Sequence, residues 1–402
     1  MSSAIPTSQG TGRHLRLGAL IALFLAPAFI FANMYTTQAI LPVLSHDFQI
    51  SAPTAGLTVS LLVLAVAIGS LFYGPLSDRV GRKKVMVSTS FLVIIPTLLC
   101  GLAPNFATLV VLRAVQGLLM PGLTSVAIPY VNEEFAGKDR GLAMGIYVSG
   151  LTLGGLFARV GSAALTGFYS WQISMLAFTL PTLIAALALW RFLPETNSKI
   201  KARQGEARPH PGDFLRQTLR DMGLHLHNRR LVGAFIIGFT LFFGFIGTFT
   251  YLPYYLTGPH FRLSTIMLGL VYLLWLTGVL SPVAGTIAER IGSRRAIAFT
   301  MALAACGLLT TLIPSLPVVI VGLGMLAVGM FCTVPAVNLY LGEQATTAKG
   351  TAASMYLSLY YFGGSFGAVL PGVAFLWAGW MGVVLLCLGM VLIALASDAI
   401  LC

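Results

Sequence analysis

The sequence predicts an all-α membrane protein with twelve transmembrane helices arranged as two six-helix repeats. Charged side chains make up 9% of the 402 residues against 57% hydrophobic, and the mean hydropathy is +0.88. No water-soluble globular domain has that balance. Apolar runs of about 20 residues, the length that crosses a bilayer, recur along the whole chain. The pattern of the first half then returns in the second.

The runs fall near 17–43, 54–77, 85–102, 107–131, 141–165, 172–193, 232–256, 264–288, 295–314, 317–340, 350–376 and 379–398. Most connections are tight. The exception is the polar, basic stretch 195–230, where Arg208-Pro209-His210-Pro211-Gly212 breaks any helix. It divides the chain into an N-terminal bundle (1–194), a cytoplasmic linker (195–230) and a C-terminal bundle (231–402). Asp213 to Leu224 reads either as a short amphipathic helix on the membrane face or as solvated linker.

A net charge of +12 raises the question of nucleic acid, and its distribution excludes it. Of 24 Lys and Arg residues, Arg113 and Arg159 lie inside apolar runs and Arg262 in a loop; the other 21 fall on one side of an alternating topology. This asymmetry marks the cytoplasmic face and places both termini there. The five cysteines (100, 306, 332, 387, 402) show no metal or redox spacing and read as packing residues. Neither a metal nor a cofactor is expected.

Two motifs repeat. Gly74-Pro75-Leu76-Ser77-Asp78-Arg79-Val80-Gly81-Arg82-Lys83-Lys84 follows the second run and Gly285-Thr286-Ile287-Ala288-Glu289-Arg290-Ile291-Gly292-Ser293-Arg294-Arg295 the eighth, an offset of 211 (285 less 74). Gly141, Tyr147, Gly154, Gly155 and Trp171 match Gly350, Tyr356, Gly363, Gly364 and Trp380 at an offset of 209. A duplicated six-span bundle suits alternating access, with two halves rocking about a site between them.

The Gly74 to Lys84 stretch resembles the loop signature of the major facilitator superfamily. Arg113-Ala114-Val115-Gln116-Gly117 is similar to the fourth-span signature of its drug:proton antiporter branch, and Leu193-Pro194-Glu195-Thr196 and Tyr169-Ser170-Trp171 also match. Within the superfamily the pattern is closest to arabinose-efflux-like or multidrug exporters of bacterial inner membranes. One departure is the fifth span: the branch carries a Gly-Pro pair, where this chain has Gly150, Gly154, Gly155 and then Arg159. Gly150 and Gly154 are expected to let a neighbouring helix approach closely and to assist gating.

The resemblance implies that Asp78, with Gly74, Arg79, Gly81 and Arg82, latches one conformation against the start of the eleventh span near Gly350. Glu289, with Gly285 and Arg290, would do the same against the start of the fifth span near Gly141. A carboxylate suits such a place because helix N-terminal amides carry partial positive charge.

All twelve acidic residues fall at span ends or in loops. Cation export by proton exchange ordinarily uses a buried acid, and this chain carries buried arginines instead. Arg113 and Arg159 each lie about six residues from a span end, or about 9 Å deep at the helical rise. Asn33, Tyr35 and Gln38 in the first span and Gln116 reach similar depth. Together they form an electropositive zone that favours anionic or strongly dipolar solutes. The second half supplies aromatics instead, of which Tyr356 and Tyr360, four apart on one helix face, are the preferred cavity candidates together with Asn338.

The sequence therefore points to a secondary transporter exporting an amphipathic neutral or anionic small molecule by proton-linked alternating access, and working as a monomer in the bilayer. Asp47, Asp78, Glu133 and Glu134 are the available proton carriers. The alternative is a facilitator or importer of an anionic metabolite with no obligatory proton exchange. No nucleophile with its base, metal triad or phosphate loop stands in the spans, so an enzyme is not expected.

Overall fold

The computed structural model describes residues 9–135, 137–194, 220, 222–345 and 348–402, and every regular element among them is a helix. Of the expected linker and its amphipathic helix, only residue 220 and residues from 222 onward belong to the described part.

The first six spans are Leu17–Asp47, Ala52–Val80, Arg82–Cys100, Phe106–Glu134, Asp139–Phe168 and Trp171–Phe192. Local chemistry sets their starts. Ser51, Asn105 and Ser170 each turn a side-chain oxygen onto a first-turn amide, meeting donors that have no helical partner. The seventh span is Arg229–Thr257 and the tenth Leu316–Gln344; the eighth is a bent pair, Thr265–Val279 and Val283–Ile291, at 48°. Ser293–Thr310 occupies the place of the ninth run.

The eleventh and twelfth crossings need a closer look, because Lys349–Gly367 is followed by hydrogen-bonded helix over Leu370–Ile400. Within the latter, Ala378 (φ −134°, ψ 16°) and Gly379 (φ 57°, ψ −145°) are not helical. A Cβ on Gly382 would strike the Ala374 carbonyl, although a straight helix holds residues eight apart about 12 Å from each other. The chain therefore reverses at Ala378–Gly379, where the sequence reading separates its last two runs. The φ at Gly379 lies where a side chain is disfavoured.

Close helix contacts repeat with the sequence. A Cβ on Gly154 would meet the Ala28 carbonyl, and one on Gly363 would meet the Phe239 carbonyl, pairs related by 209 (363 less 154) and 211 (239 less 28). Gly150 likewise faces the Phe24 carbonyl, 2.5 Å from a Cβ. Gly150 and Gly154 thus seat the fifth span on the first, within one repeat. Cys100, Cys332 and Cys387 are buried packing residues, but Cys306 is exposed on the helix surface, a place that suits a small thiol facing lipid.

Between the repeats, contact is uneven. Ser60 bonds Ser365 at 3.0 Å, Ser45 bonds Tyr254 at 2.6 Å and Gln38 bonds Thr250 at 2.9 Å. All three lie away from the rim that carries Arg79 to Lys84 and Arg290 to Arg295, hereafter the basic rim. Toward the basic rim, Gly74, Gly141, Gly145 and Gly350 have no heavy atom within 4 Å of a Cβ position. Among the described residues, the side-chain hydrogen bonds that join the repeats thus lie away from the basic rim.

Candidate functional site

The first span is broken in its middle. Its long helix ends at Tyr35, a short 3-10 turn covers Gln38–Ile40, and helix resumes over Leu41–Asp47. Pro42 has no amide hydrogen to give the Gln38 carbonyl, and its ring crowds the preceding turn. Carbonyls at the end of the first piece are left without helical partners.

Arg113 fills that gap. Its Nη1 donates to the Asn33 carbonyl (2.5 Å), its Nη2 to the Met34 carbonyl (2.7 Å) and its Nε to the Thr58 carbonyl (3.1 Å). Nη1 also donates to Gln116 Oε1 at 3.0 Å. Gln116 donates to Thr97, Thr97 to Asn33 Oδ1, and Asn33 to Thr182. The network joins spans one, two, three, four and six, and fully buries the guanidinium. In this arrangement Arg113, Gln116 and Asn33 bind one another and the backbone. Cys100 Sγ lies 3.7 Å from Gln116 Oε1 as a further donor.

Arg159 is equally buried and differently used. Its Nε donates to Gln38 Oε1 at 2.8 Å and its Nη1 to the Gly155 carbonyl at 2.7 Å, while Nη2 is buried with no acceptor. The guanidinium carbon lies 3.7 Å from the Tyr35 ring centre, 3.5 Å from that of Trp275 and 5.5 Å from that of Tyr272. Tyr35 belongs to the first repeat, Trp275 and Tyr272 to the second. The eighth span explains how both reach the charge, since Tyr272–Leu280 is 3-10 helix, in which positions three apart eclipse. The Trp275 ring lies 3.6 Å from a Cβ built on Gly155, ordinary van der Waals contact.

From Trp275 an aromatic wall runs on through the second repeat. Trp275 meets Phe245 at 4.8 Å between centroids, Phe245 meets Phe242 at 6.5 Å, Phe242 stacks on Tyr360 at 4.0 Å, and Tyr360 meets Tyr356 at 6.1 Å. Trp275 Nε1 and Tyr356 Oη are also buried without partners. A path of apolar faces thus carries unmet polar atoms at its two ends.

The structure brings Tyr35, Gln38, Arg159, Tyr356 and Tyr360 into this continuous arrangement, whereas Asn338 on the tenth span is exposed. The sequence counts Tyr272 and Trp275 among the second-half aromatics without preferring them, and does not single out Thr250. A spacing of three already shares a face of an α-helix, and the 3-10 turn brings the two rings into line.

The expected latches are not engaged. Asp78 is exposed and pairs with Arg82 of its own loop at 3.2 Å, and Arg82 grips Glu133 at the end of the fourth span through two bonds, one of 2.6 Å. Glu289 is exposed. Among the proposed proton carriers, Asp47 pairs with His46 at 3.4 Å near the far rim. Glu133 is held by Arg82, and Glu134 ends the fourth span.

The helical fold finds direct parallels. The model of the Major Facilitator Superfamily matches residues 23–368 and again 260–401. The chain belongs to this superfamily. It is 35% identical over 376 residues to the inner membrane transport protein YnfM of Escherichia coli (strain K12), covering 93% of this chain and 88% of that one. It is 33% identical over 365 residues to an uncharacterized transporter of Buchnera aphidicola subsp. Schizaphis graminum (strain Sg), with 90% and 86% covered. Among solved structures, a bacterial homologue of the human lysosomal transporter Spinster superposes with a TM-score of 0.77 at 17% identity, covering 96% of both chains. The nucleoside transporter NupG superposes at 0.76 and 18% identity, covering 96% and 99%. The chain is thus a multi-pass major facilitator membrane transporter and no enzyme.

Proposed function

We propose that this transporter moves an amphipathic small molecule with an anionic or strongly accepting end, and that Arg159 is the charge that binds it. One observation carries the reading: Arg159 Nη2 is a buried cationic donor with no acceptor, held between aromatic rings of both repeats. A buried donor left unmet costs about 1–3 kcal/mol, more when charged. A carboxylate or similar group arriving there recovers that energy, while the neighbouring rings take up the solute's apolar body.

The basic rim is assigned to the cytoplasm by the positive-inside rule, which makes this an inward-open form with both termini inside. Efflux across the inner membrane by proton-linked alternating access, with the monomer as the working unit, is the direction and coupling we assign, in line with the drug:proton antiporter resemblance. In that scheme the proton is carried by Asp47, Glu133, Glu134 or Asp78, or by the substrate itself. A specific observation favours a second reading without obligatory proton exchange. Every acidic residue of the sequence stands at a span end or in a loop, and none neighbours Arg159 among the described residues.

The test is flux into proteoliposomes of an aromatic carboxylate, a neutral amphiphile, a sugar and a cationic dye, with and without a pH gradient, for wild type and Arg159→Ala. Gradient-driven movement of the carboxylate that Arg159→Ala abolishes is the expected result. Movement of the carboxylate indifferent to the gradient selects the facilitator. Pumping of the cationic dye with Arg159→Ala unaffected overturns the assignment of the site.

A further inference from the structure

We infer that Gln38 is the coupling residue of this transporter, transmitting occupancy of Arg159 to the contact that closes the far rim. The inference rests on Arg159 being the substrate-binding charge. The Gln38 side chain is completely buried in the turn where the first span breaks. Its two ends hold different repeats: Oε1 accepts from Arg159 Nε at 2.8 Å, and Nε2 donates to Thr250 Oγ1 of the seventh span at 2.9 Å. The amide orientation follows from chemistry, because the arginine end can only donate.

Arg159 therefore has two kinds of tie to the second repeat, the rings of Trp275 and Tyr272 and the Gln38 to Thr250 bridge. Both depend on an uncompensated positive charge. The bond to Gln38 is charge-assisted, and a polarised amide donates more strongly at its other end. An anion on Nη2 neutralises the guanidinium, which weakens the ring contact and depolarises the amide. The far rim, closed beside this layer by Ser45 with Tyr254, then loses its link to the site and opens. A ligand shifts such an equilibrium only through a difference in affinity between the two states, and the bridge supplies one: it exists in the closed far rim and is weakened by the ligand.

The experiment uses the full-length chain in nanodiscs, with Cys306 and the partly exposed Cys402 replaced by serine and cysteine-coupled spin labels at exposed Gln49 and His260 on the far rim. The probe is 2-naphthoate; its affinity is read by Trp fluorescence, and the label distance is measured with and without it. Wild type is expected to bind naphthoate and lengthen the distance. Thr250→Val, which leaves the Arg159 to Gln38 bond intact, is expected to bind naphthoate more tightly than wild type, because the ligand no longer has to open the far rim, while its label distance is already long and no longer responds. The Gln38→Leu and Thr250→Val effects on distance are expected not to add, since both cut one link, and Thr250→Ser is expected to restore the wild-type response. A Thr250→Val protein that still opens only on naphthoate overturns the relay, as do additive effects. If wild type does not bind naphthoate, the anionic-site reading fails instead. The ligand-free distances still decide the bridge, because an unchanged distance in both Gln38→Leu and Thr250→Val overturns it.

Discussion

The guanidinium carbon of Arg159 lies 3.5 Å from the centre of the Trp275 ring, so a charge from the first repeat is covered by an aromatic from the second. In the alternating access proposed above, the contact belongs to one conformation of the interface.

Replacing Trp275 tests its share. Stacking of a solute ring on the indole is worth about 0.5–1.5 kcal/mol. Trp275→Leu is expected to weaken apparent affinity for an aromatic carboxylate roughly two- to tenfold, with Trp275→Phe in between. Flux measured against solute concentration reads the effect; an unchanged apparent KM in Trp275→Leu contradicts it.

Arg159→Lys separates charge from geometry. Lysine keeps the charge but not the planar fork that bonds Gln38, Gly155 and a ligand together. Flux of the carboxylate is expected to fall about tenfold in Arg159→Lys and to vanish in Arg159→Ala. Equal flux in Arg159→Lys and wild type would mean that only a point charge is required.

Arg113 predicts a different phenotype, loss of stability. Arg113→Met leaves the carbonyls of Asn33, Met34 and Thr58 buried without their donor, at about 1–3 kcal/mol each. A marked drop in Tm in detergent and poor yield are expected, larger than for Arg159→Ala. Thermal unfolding followed by size-exclusion chromatography checks the order of the two variants.

Glycines of the fifth span are predicted to differ sharply. A Cβ on Gly154 meets the backbone of Ala28, which cannot yield, whereas one on Gly145 meets nothing within 4 Å. Gly154→Ala is expected to lower Tm and transport, and Gly145→Ala to leave both near wild type. Loss of Tm in Gly145→Ala, or none in Gly154→Ala, would show that the packing of the fifth span on the first is not what those positions control.

The sequence by itself determined the twelve spans, the duplication and even the turn before Trp380, because bilayer thickness and backbone hydrogen bonding leave an apolar run little choice but helix. It also singled out the two buried arginines, since an intramembrane charge is costly wherever it points. What it left undivided was their use. Arg113 and Arg159 look alike at equal depth in apolar runs, yet one meets a broken helix end and the other meets Gln38 and Trp275 and keeps one buried donor without a partner. That difference depends on the Pro42 break and the 3-10 turn of the eighth span, and on how the two repeats approach at the far rim. Those are relations between residues as distant as Gln38 and Thr250, and such partners are chosen by tertiary packing rather than by local pattern.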